Sequence, residues 1–125
     1  MSETNSRISD AERLVMKVIW QKSPMTASLI VERLKSETDW SPKTIQTLIA
    51  RLVKKEVLGV NKEDSLNQYY PLVSQEVCMR EETNSFLHKV YDGSLHLLLT
   101  NFVKNEKLSM EEIQELRSLL DEKMK

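Results

Sequence analysis

The stretch that decides the fold is WSPKTIQTLIARLVKKEVL, residues 40–58. Ser41 is a good N-cap because its hydroxyl can accept hydrogen bonds from the free N–H groups of the first helical turn. Pro42 suits the first helical position, where a missing N–H has no consequence. Apolar side chains then recur at the i, i+3, i+4 and i+7 spacing of one helical face: Ile45, Leu48, Ile49 and Leu52. The stretch therefore predicts an amphipathic helix that ends near Lys55.

The opposite face of this helix is polar and carries no carboxylate. Counting about 100° per residue, the side chains on this face and its flanks are basic, amide-bearing, hydroxyl-bearing or small. They are Lys43, Thr44, Gln46, Thr47, Ala50, Arg51 and Lys54. Arg and Gln can form paired hydrogen bonds with base edges in the DNA major groove, and Ala and Thr methyls can contact the thymine methyl. For an isolated helix, a solvated basic face is a commoner explanation than a DNA-binding face. The elements around this helix are therefore needed to choose between the two.

Two shorter helices precede this helix and a hairpin follows it. Residues 9–12, SDAE, form a capping box that begins the first helix, and Thr26 is the N-cap of the second. After the third helix, the β-prone segments 57–60 and 68–72 flank a polar loop. Three helices followed by a hairpin predict a winged helix-turn-helix domain over residues 1–73.

The pattern of residues 74–125 predicts three more helices. The predicted fold class of the whole chain is therefore mostly α-helical. These helices are too apolar to stand alone and too few to form a separate globule. Burial against the same segments of a second chain would resolve this, and a two-fold dimer also matches palindromic half-sites in DNA. We therefore expect a C-terminal helical dimerisation region. Its predicted interface residues are Leu95, Leu98, Phe102, Leu116 and Leu120.

Composition excludes several classes of protein. The 125 residues contain no apolar run long enough to span a bilayer, and the polar N-terminus does not resemble a signal peptide, so we expect a cytoplasmic chain without membrane insertion. A single cysteine, Cys78, excludes disulfide frameworks and cysteine-cluster metal sites. His88 and His96 lack convergent carboxylates, and no phosphate loop or nucleophile motif is present. We expect a protein that is not an enzyme and needs no cofactor or metal.

The chain also resembles the penicillinase-repressor (BlaI/MecI) family of bacterial transcription regulators. The similarity rests on sequence blocks in family order: ISDAERLVMKVIW at 8–20, WSPKTIQTLIARLVKK at 40–55, QYYPLV at 68–73, FLHKVYDGSLHLLLTNFVKNEKL at 86–108 and EEIQELRSLL at 111–120. The resemblance implies a homodimer that represses β-lactamase or penicillin-binding-protein genes by binding palindromic operator DNA. The family's recognition-helix positions correspond to Lys43, Thr44, Gln46, Thr47 and Arg51.

The same resemblance implies how repression ends. In the family, a membrane-bound metalloprotease receptor that senses β-lactams leads to cutting of the repressor, here between Asn101 and Phe102. One departure is the wing tip, Lys62-Glu63-Asp64, which is less basic than the family pattern and argues against a strong phosphate contact from the wing. The chain also lacks the C-terminal cysteines of the copper-responsive relatives, so copper sensing is not expected.

Two alternatives remain open from the residues themselves. One is a winged-helix regulator that a small-molecule ligand releases from DNA, which would require an enclosed apolar pocket with a few inward polar groups. The other is a winged helix used only for protein–protein contact. The absence of carboxylates from the exposed face of the third helix counts against the second alternative.

Overall fold

The computed structural model describes residues 8–63 and 65–125, which form six α-helices and one three-stranded antiparallel sheet. In chain order the elements are α1 (Asp10–Gln21), β1 (Met25–Thr26), α2 (Ala27–Leu34), α3 (Pro42–Lys54), β2 (Leu58–Asn61), β3 (Gln68–Pro71), α4 (Gln75–Tyr91), α5 (Leu95–Asn105) and α6 (Met110–Met124). They divide into two compact units, one up to Ser85 and one from Phe86 onward. The predicted mostly helical fold, with three helices followed by a hairpin, is confirmed.

The first three helices begin at the predicted caps. The capping box of α1 is complete, because Ser9 N donates to Glu12 Oε1 at 2.8 Å and Glu12 N donates to Ser9 Oγ at 3.1 Å. Thr26 Oγ1 accepts from the third residue of α2, and Ser41 Oγ accepts from Thr44 N at 3.2 Å. These side chains satisfy N–H groups that have no partner inside the helix. Local sequence therefore fixes where each helix begins.

One apolar core holds the first unit together, and α1, α2, α3 and the start of the hairpin all contribute to it. The predicted inward stripe of α3 is confirmed, since Ile45, Leu48, Ile49 and Leu52 are each at most 5 % exposed. Burying such a side chain stabilises the fold by about 1.5–3 kcal/mol. The other buried apolar side chains are Ile8, Val15, Met16, Val18, Ile19, Met25, Ile30, Val31, Leu34, Val57, Leu58 and Cys78. This packing buries one face of α3 and leaves its opposite face exposed.

The predicted wing is an antiparallel hairpin of β2 and β3, with Gly59 opposite Tyr70. The second strand of the hairpin, β3, also pairs with β1 and is therefore the central strand of the sheet. The sequence did not reveal β1, because two residues are too few for an alternating pattern. The indole Nε1 of Trp20 donates to the Val73 carbonyl at 3.0 Å and so ties the end of α1 to the end of the hairpin. Asp64, part of the predicted wing tip, lies outside the described residues.

The C-terminal end of α3 is closed by a Schellman motif. Val57 N donates to the Leu52 carbonyl at 3.0 Å, and Glu56 N donates to the Val53 carbonyl at 3.0 Å. Both Val57 and Leu52 are fully buried, which supplies the apolar contact of this motif. Glu56 has a φ of 65°, in the left-handed region that favours glycine. The chain therefore turns sharply from α3 into the wing at a strained residue.

Replacing Glu56 with glycine should stabilise the protein. A left-handed conformation costs an L-residue about 1–2 kcal/mol, and glycine would remove this cost. Glycine also has more conformational freedom in the unfolded chain, which offsets part of the stabilisation. We expect the free energy of unfolding to rise by up to about 1 kcal/mol in urea titrations. Glu56→Ala is the matched control, because alanine loses the same carboxylate and retains the strain. Equal stability of the two variants would show that the left-handed backbone is not the cause.

The second unit contains the last part of α4 together with α5 and α6. The chain leaves α4 through Asp92 and Gly93, both with positive φ. Ser94 caps α5, and Ser109 caps α6 with a complete capping box. Neither α5 nor α6 contains a buried side chain. In a single chain, this unit thus exposes a large apolar surface.

Candidate nucleic-acid interface

The face of α3 that points away from the core gathers all the predicted DNA-contacting residues. Their side chains are exposed, while the stripe on the other side of the same helix is buried. No Asp or Glu occurs between Pro42 and Lys54, and the last turn of the helix is basic. The exposed predicted residues are Lys43, Thr44, Gln46, Thr47, Arg51 and Lys54. The result is a continuous, positively charged and carboxylate-free surface.

Two threonines on this face have their hydroxyl groups held locally. Thr47 Oγ1 donates to the carbonyl of Lys43 one turn earlier, at 3.0 Å. Thr44 Oγ1 lies 3.1 Å from Oγ of the N-cap Ser41. These contacts restrict the side-chain rotamers of both threonines before any ligand arrives. A surface whose side chains are already ordered loses less conformational entropy on binding.

Gln46 lies at the edge of the face nearest the wing. It lines a cleft of about 260 Å³ between α3 and the hairpin, together with Lys62, Asn67 and Tyr69. Lys62 and Asn67 belong to the wing loop, and the sequence did not identify either as part of a joint surface with α3. No sequence pattern could have done so, because their proximity depends on the packing of the hairpin.

Lys55, the C-cap of α3, differs from the other basic residues of this segment. Its Nζ lies 2.6 Å from Oε1 of Glu12, whose side chain is 1 % exposed. Burial raises the pKa of the Glu12 carboxyl, but hydrogen bonds from Lys55 and Ser9 and the Lys55 charge outweigh it, so this pKa is lowered. Among the described residues, Glu12 is the one charged residue in the buried class.

The sequence contains one hint of this pair. At about 100° per residue, Lys54 lies opposite Ile45, whereas Lys55 lies at the edge of the apolar stripe. A lysine at such a boundary can direct its ammonium toward a neighbouring helix. The partner could not be named without the structure, because Glu12 and Lys55 lie 43 positions apart in sequence.

The predicted cleavage and dimer residues all lie in the second unit. Asn101 and Phe102 are in the middle of α5 and are exposed, Phe102 by 47 %. Of the predicted interface residues, Leu98 is half-buried and Leu95, Leu116 and Leu120 are exposed in the single chain. The structure thus places these side chains on solvent-facing helices, and their roles remain predictions.

The chain also contains one cysteine and a number of potential metal-ligating side chains. Within residues 8–63 and 65–125, no three His, Cys, Asp or Glu side chains lie close enough together to hold a metal ion. Cys78 is buried, its Sγ lies 3.4 Å from Glu82 Oε2, and burial raises the pKa of its thiol. No helix in the described part of the chain is long and apolar enough to cross a membrane.

Comparison with known proteins identifies the family. The model of the penicillinase repressor family matches residues 8–122, nearly the whole chain. The chain belongs to the penicillinase repressor family. This family member is 42 % identical to the methicillin resistance regulatory protein MecI of Mammaliicoccus sciuri over 123 residues, which cover 98 % of this chain and all of that one. It is 41 % identical to the penicillinase repressor of Bacillus licheniformis, with 93 % and 91 % of the two chains covered.

Two solved structures from the penicillinase repressor family also match. One is the solution structure of the DNA-binding domain of the repressor BlaI, with 42 % identity and a TM-score of 0.52. The other is the monomeric form of Bacillus licheniformis BlaI in complex with the blaP half-operator, with 42 % identity and a TM-score of 0.51. Each match covers 57 % of this chain and 87 % of the solved chain. The predicted winged helix and the predicted family are both confirmed.

Proposed function

We propose that this protein is a transcriptional repressor of β-lactam-resistance genes that acts by binding operator DNA in the cytoplasm. The observation that carries this proposal is the exposed, carboxylate-free face of α3 in a winged-helix domain. The names of the relatives, a methicillin resistance regulator and penicillinase repressors, support the class of regulated gene. The BlaI structure with a half-operator supports duplex DNA as the partner. We assign the chain no enzymatic role.

In this proposal, α3 lies in the major groove and its residues divide into two groups. Gln46 and Thr47 contact base edges, where amide and methyl groups can distinguish base pairs. Lys43, Arg51 and Lys54 contact phosphates, which supply affinity without sequence information. The wing adds little charge of its own, since Glu63 follows Lys62 at its tip.

Footprinting on the DNA upstream of the protein's own gene tests the proposal most directly. The purified full-length chain should protect a short two-fold symmetric segment, and protection should survive an excess of competitor DNA. A winged helix used only for protein contact would give no protection at any salt concentration. Protection that disappears with competitor DNA would also contradict the proposal, because it would indicate charge attraction alone.

Gln46→Ala and Thr47→Ala should each weaken operator binding by about 1–3 kcal/mol, because each removes a base contact. Affinity for unrelated DNA should change little. Arg51→Ala is the matched control on the same helix. It should weaken binding to every duplex and reduce the slope of log K against log salt by about 0.9, as expected for one lost phosphate contact.

Titrations of both duplexes across a range of salt concentrations would measure these effects. The docking of α3 proposed here is wrong if Gln46→Ala and Thr47→Ala both retain wild-type affinity and wild-type preference for the operator.

The repressor is proposed to act as a homodimer, with residues 1–73 as the DNA-binding domain and residues 74–125 as the dimerisation region. The many exposed apolar side chains of α5 and α6 support this assignment, because monomeric proteins rarely expose large apolar patches. Dimerisation also raises operator affinity, since the first bound domain holds the second near its half-site. The proposed interface residues are Leu95, Leu98, Phe102, Leu116 and Leu120.

Release of the operator is proposed to follow cleavage between Asn101 and Phe102, with a β-lactam-sensing membrane metalloprotease receptor as the source of the signal. This step rests on the family resemblance of the surrounding segment. Cleavage there would separate α6 and the end of α5 from the rest of the chain while leaving the winged helix whole. Operator affinity would then fall because the two DNA-binding domains are no longer linked.

A further inference from the structure

One carboxylate oxygen joins the beginning of α1 to the end of α3. Glu12 Oε1 accepts the backbone N–H of Ser9 at 2.8 Å and the ammonium of Lys55 at 2.6 Å. Ser9 is the N-cap of α1 and Lys55 is the C-cap of α3. The Glu12 side chain is 1 % exposed, while that of Lys55 is 30 % exposed. Water therefore cannot readily replace either partner at this oxygen.

The burial of Glu12 distinguishes this contact from an ordinary surface ion pair. Exposed pairs contribute little because water and salt screen them. A carboxylate removed from water depends on its partners, and removal of the lysine would leave an uncompensated buried charge. The contact therefore constrains where the last turn of α3 can lie relative to α1.

The last turn of α3 also carries residues of the proposed DNA surface. Lys55 N donates to the carbonyl of Arg51 at 2.9 Å, and Lys54 is the neighbouring residue. The Schellman motif then fixes the exit of the chain from the helix. A shift of Lys55 would thus be transmitted along the helix to the side chains that face the groove.

We propose that Glu12 and Lys55 are positioning residues for sequence recognition, which set α3 at the angle at which its side chains meet the base edges. In this arrangement the Lys55 ammonium is withheld from DNA phosphates, although it lies on the basic helix segment. The inference rests on the proposed operator binding. It assigns Lys55 a role different from those of its neighbours Arg51 and Lys54, which face solvent.

The role predicts a specific pattern of binding defects. Loss of the ion pair should alter the angle of α3 and weaken its contacts with the bases. The flexible side chains that contact phosphates can still reach them after this change. Affinity for the operator should therefore fall relative to affinity for unrelated DNA. A purely structural role would lower thermal stability but leave this affinity ratio unchanged in the folded protein.

The experiment compares Lys55→Met with Lys55→Arg and with Lys54→Met as the matched control, all in the full-length chain. Dissociation constants for operator and unrelated duplexes are measured over a range of salt concentrations, at a temperature where circular dichroism shows each variant to be folded. Lys55→Met should lower the affinity ratio about tenfold, within the range for one lost base contact. Lys55→Met should leave the salt slope unchanged. Lys55→Arg, which retains a positive charge near Glu12, should keep the wild-type affinity ratio.

The control should behave in the opposite way. Lys54→Met should retain the ratio and reduce the salt slope by about 0.9, as for one phosphate contact. If Lys55→Met does not fold, Glu12→Gln takes its place, since glutamine can still accept from Ser9 N, and the same fall in ratio is expected.

Two results would overturn the inference while leaving the proposed function intact. One is a wild-type ratio in the variant that lacks the ion pair, and the other is a Lys55→Met variant that loses salt slope as Lys54→Met does. A wild-type chain that shows no preference for the operator would instead overturn the proposed function and this inference together.

Discussion

Replacing Leu116 with glutamate should convert the protein into a monomer and weaken operator binding by at least about 100-fold. Leu116 lies on α6 and is 43 % exposed in the single chain. The same helix carries three other exposed apolar side chains within four positions, those of Ile113, Leu119 and Leu120. In the proposed dimer its side chain is buried. A carboxylate at that position would lose its hydration without gaining a partner, a cost that the interface could not offset.

The variant loses affinity because its two winged helices are no longer tethered, and not because α3 is damaged. Once one winged helix is bound, the dimer holds the second near its half-site at an effective concentration of roughly millimolar. A monomer must bind each half-site from bulk solution. The variant should therefore retain weak binding to a single half-site, equal to that of the wild-type chain.

Sedimentation at micromolar concentration would measure the mass of Leu116→Glu, and operator titrations would measure its affinity. Gln114→Glu is the matched control, because it adds the same charge at an exposed polar position of α6. It should remain dimeric. A dimeric mass for Leu116→Glu would place the interface elsewhere on the molecule.

Combined replacement of Asn101 by alanine and Phe102 by leucine should abolish induction by β-lactams. The bond that we propose is cleaved lies inside α5. Besides the hydrogen bonds of the helix backbone, side-chain hydrogen bonds also hold Asn101 in place. Asn105 Nδ2 donates to the Asn101 carbonyl at 2.9 Å and to Asn101 Oδ1 at 2.7 Å. Asn101 Nδ2 in turn donates to Tyr91 Oη at 3.2 Å.

A protease must first open this segment, because a helical carbonyl engaged in hydrogen bonds is not accessible to an extended active-site cleft. Local opening has a free energy between zero and that of global unfolding. Cleavage should therefore be slower wherever α5 is stabilised, as in an intact dimer on its operator. The variant pair removes the side chains expected to be recognised after opening and leaves the helix able to form.

Cells that carry the cognate receptor and a reporter gene would provide the measurement. After addition of a β-lactam, the wild-type repressor should disappear as an intact chain and the reporter should be expressed. The variant should stay intact and keep the reporter repressed, provided that its dimer mass and operator affinity are unchanged. Lys104→Ala, an exposed change on the same helix, should be induced normally. Normal induction of the Asn101/Phe102 variant would show that another event ends repression.

Sequence reasoning predicted those features that depend on neighbours in the chain. The N-caps of the first three helices are predictable because a cap needs only its own helix; they are Ser9, Thr26 and Ser41. The buried and exposed faces of α3 follow from its helical period. The order of helices and hairpin then limits the fold to a winged helix. These inferences required no knowledge of long-range packing.

The features that sequence reasoning missed depend on residues far apart in the chain. β1 gains its hydrogen bonds from β3, with Met25 opposite Tyr69, and has no pattern of its own. The Glu12–Lys55 ion pair joins the two ends of the helix-turn-helix region. The sequence pattern indicates only the capping-box role of Glu12, although a carboxylate has further lone pairs with which to bind a second donor. The cleft beside Gln46 likewise depends on the fold of the wing.

The hydrogen bond within α3 from Thr47 to Lys43 has a consequence for the bases that can lie opposite Thr47. The only hydroxyl proton of this side chain is already donated to the backbone. Towards DNA, Thr47 therefore offers oxygen lone pairs and a methyl group. The major-groove edge of guanine presents only acceptors, N7 and O6, which would find no donor there. Adenine and cytosine each present an amino group, and thymine presents a methyl group. In the proposed complex, a Thr47 whose only hydroxyl proton is donated to the helix backbone would therefore disfavour guanine at the base that it contacts.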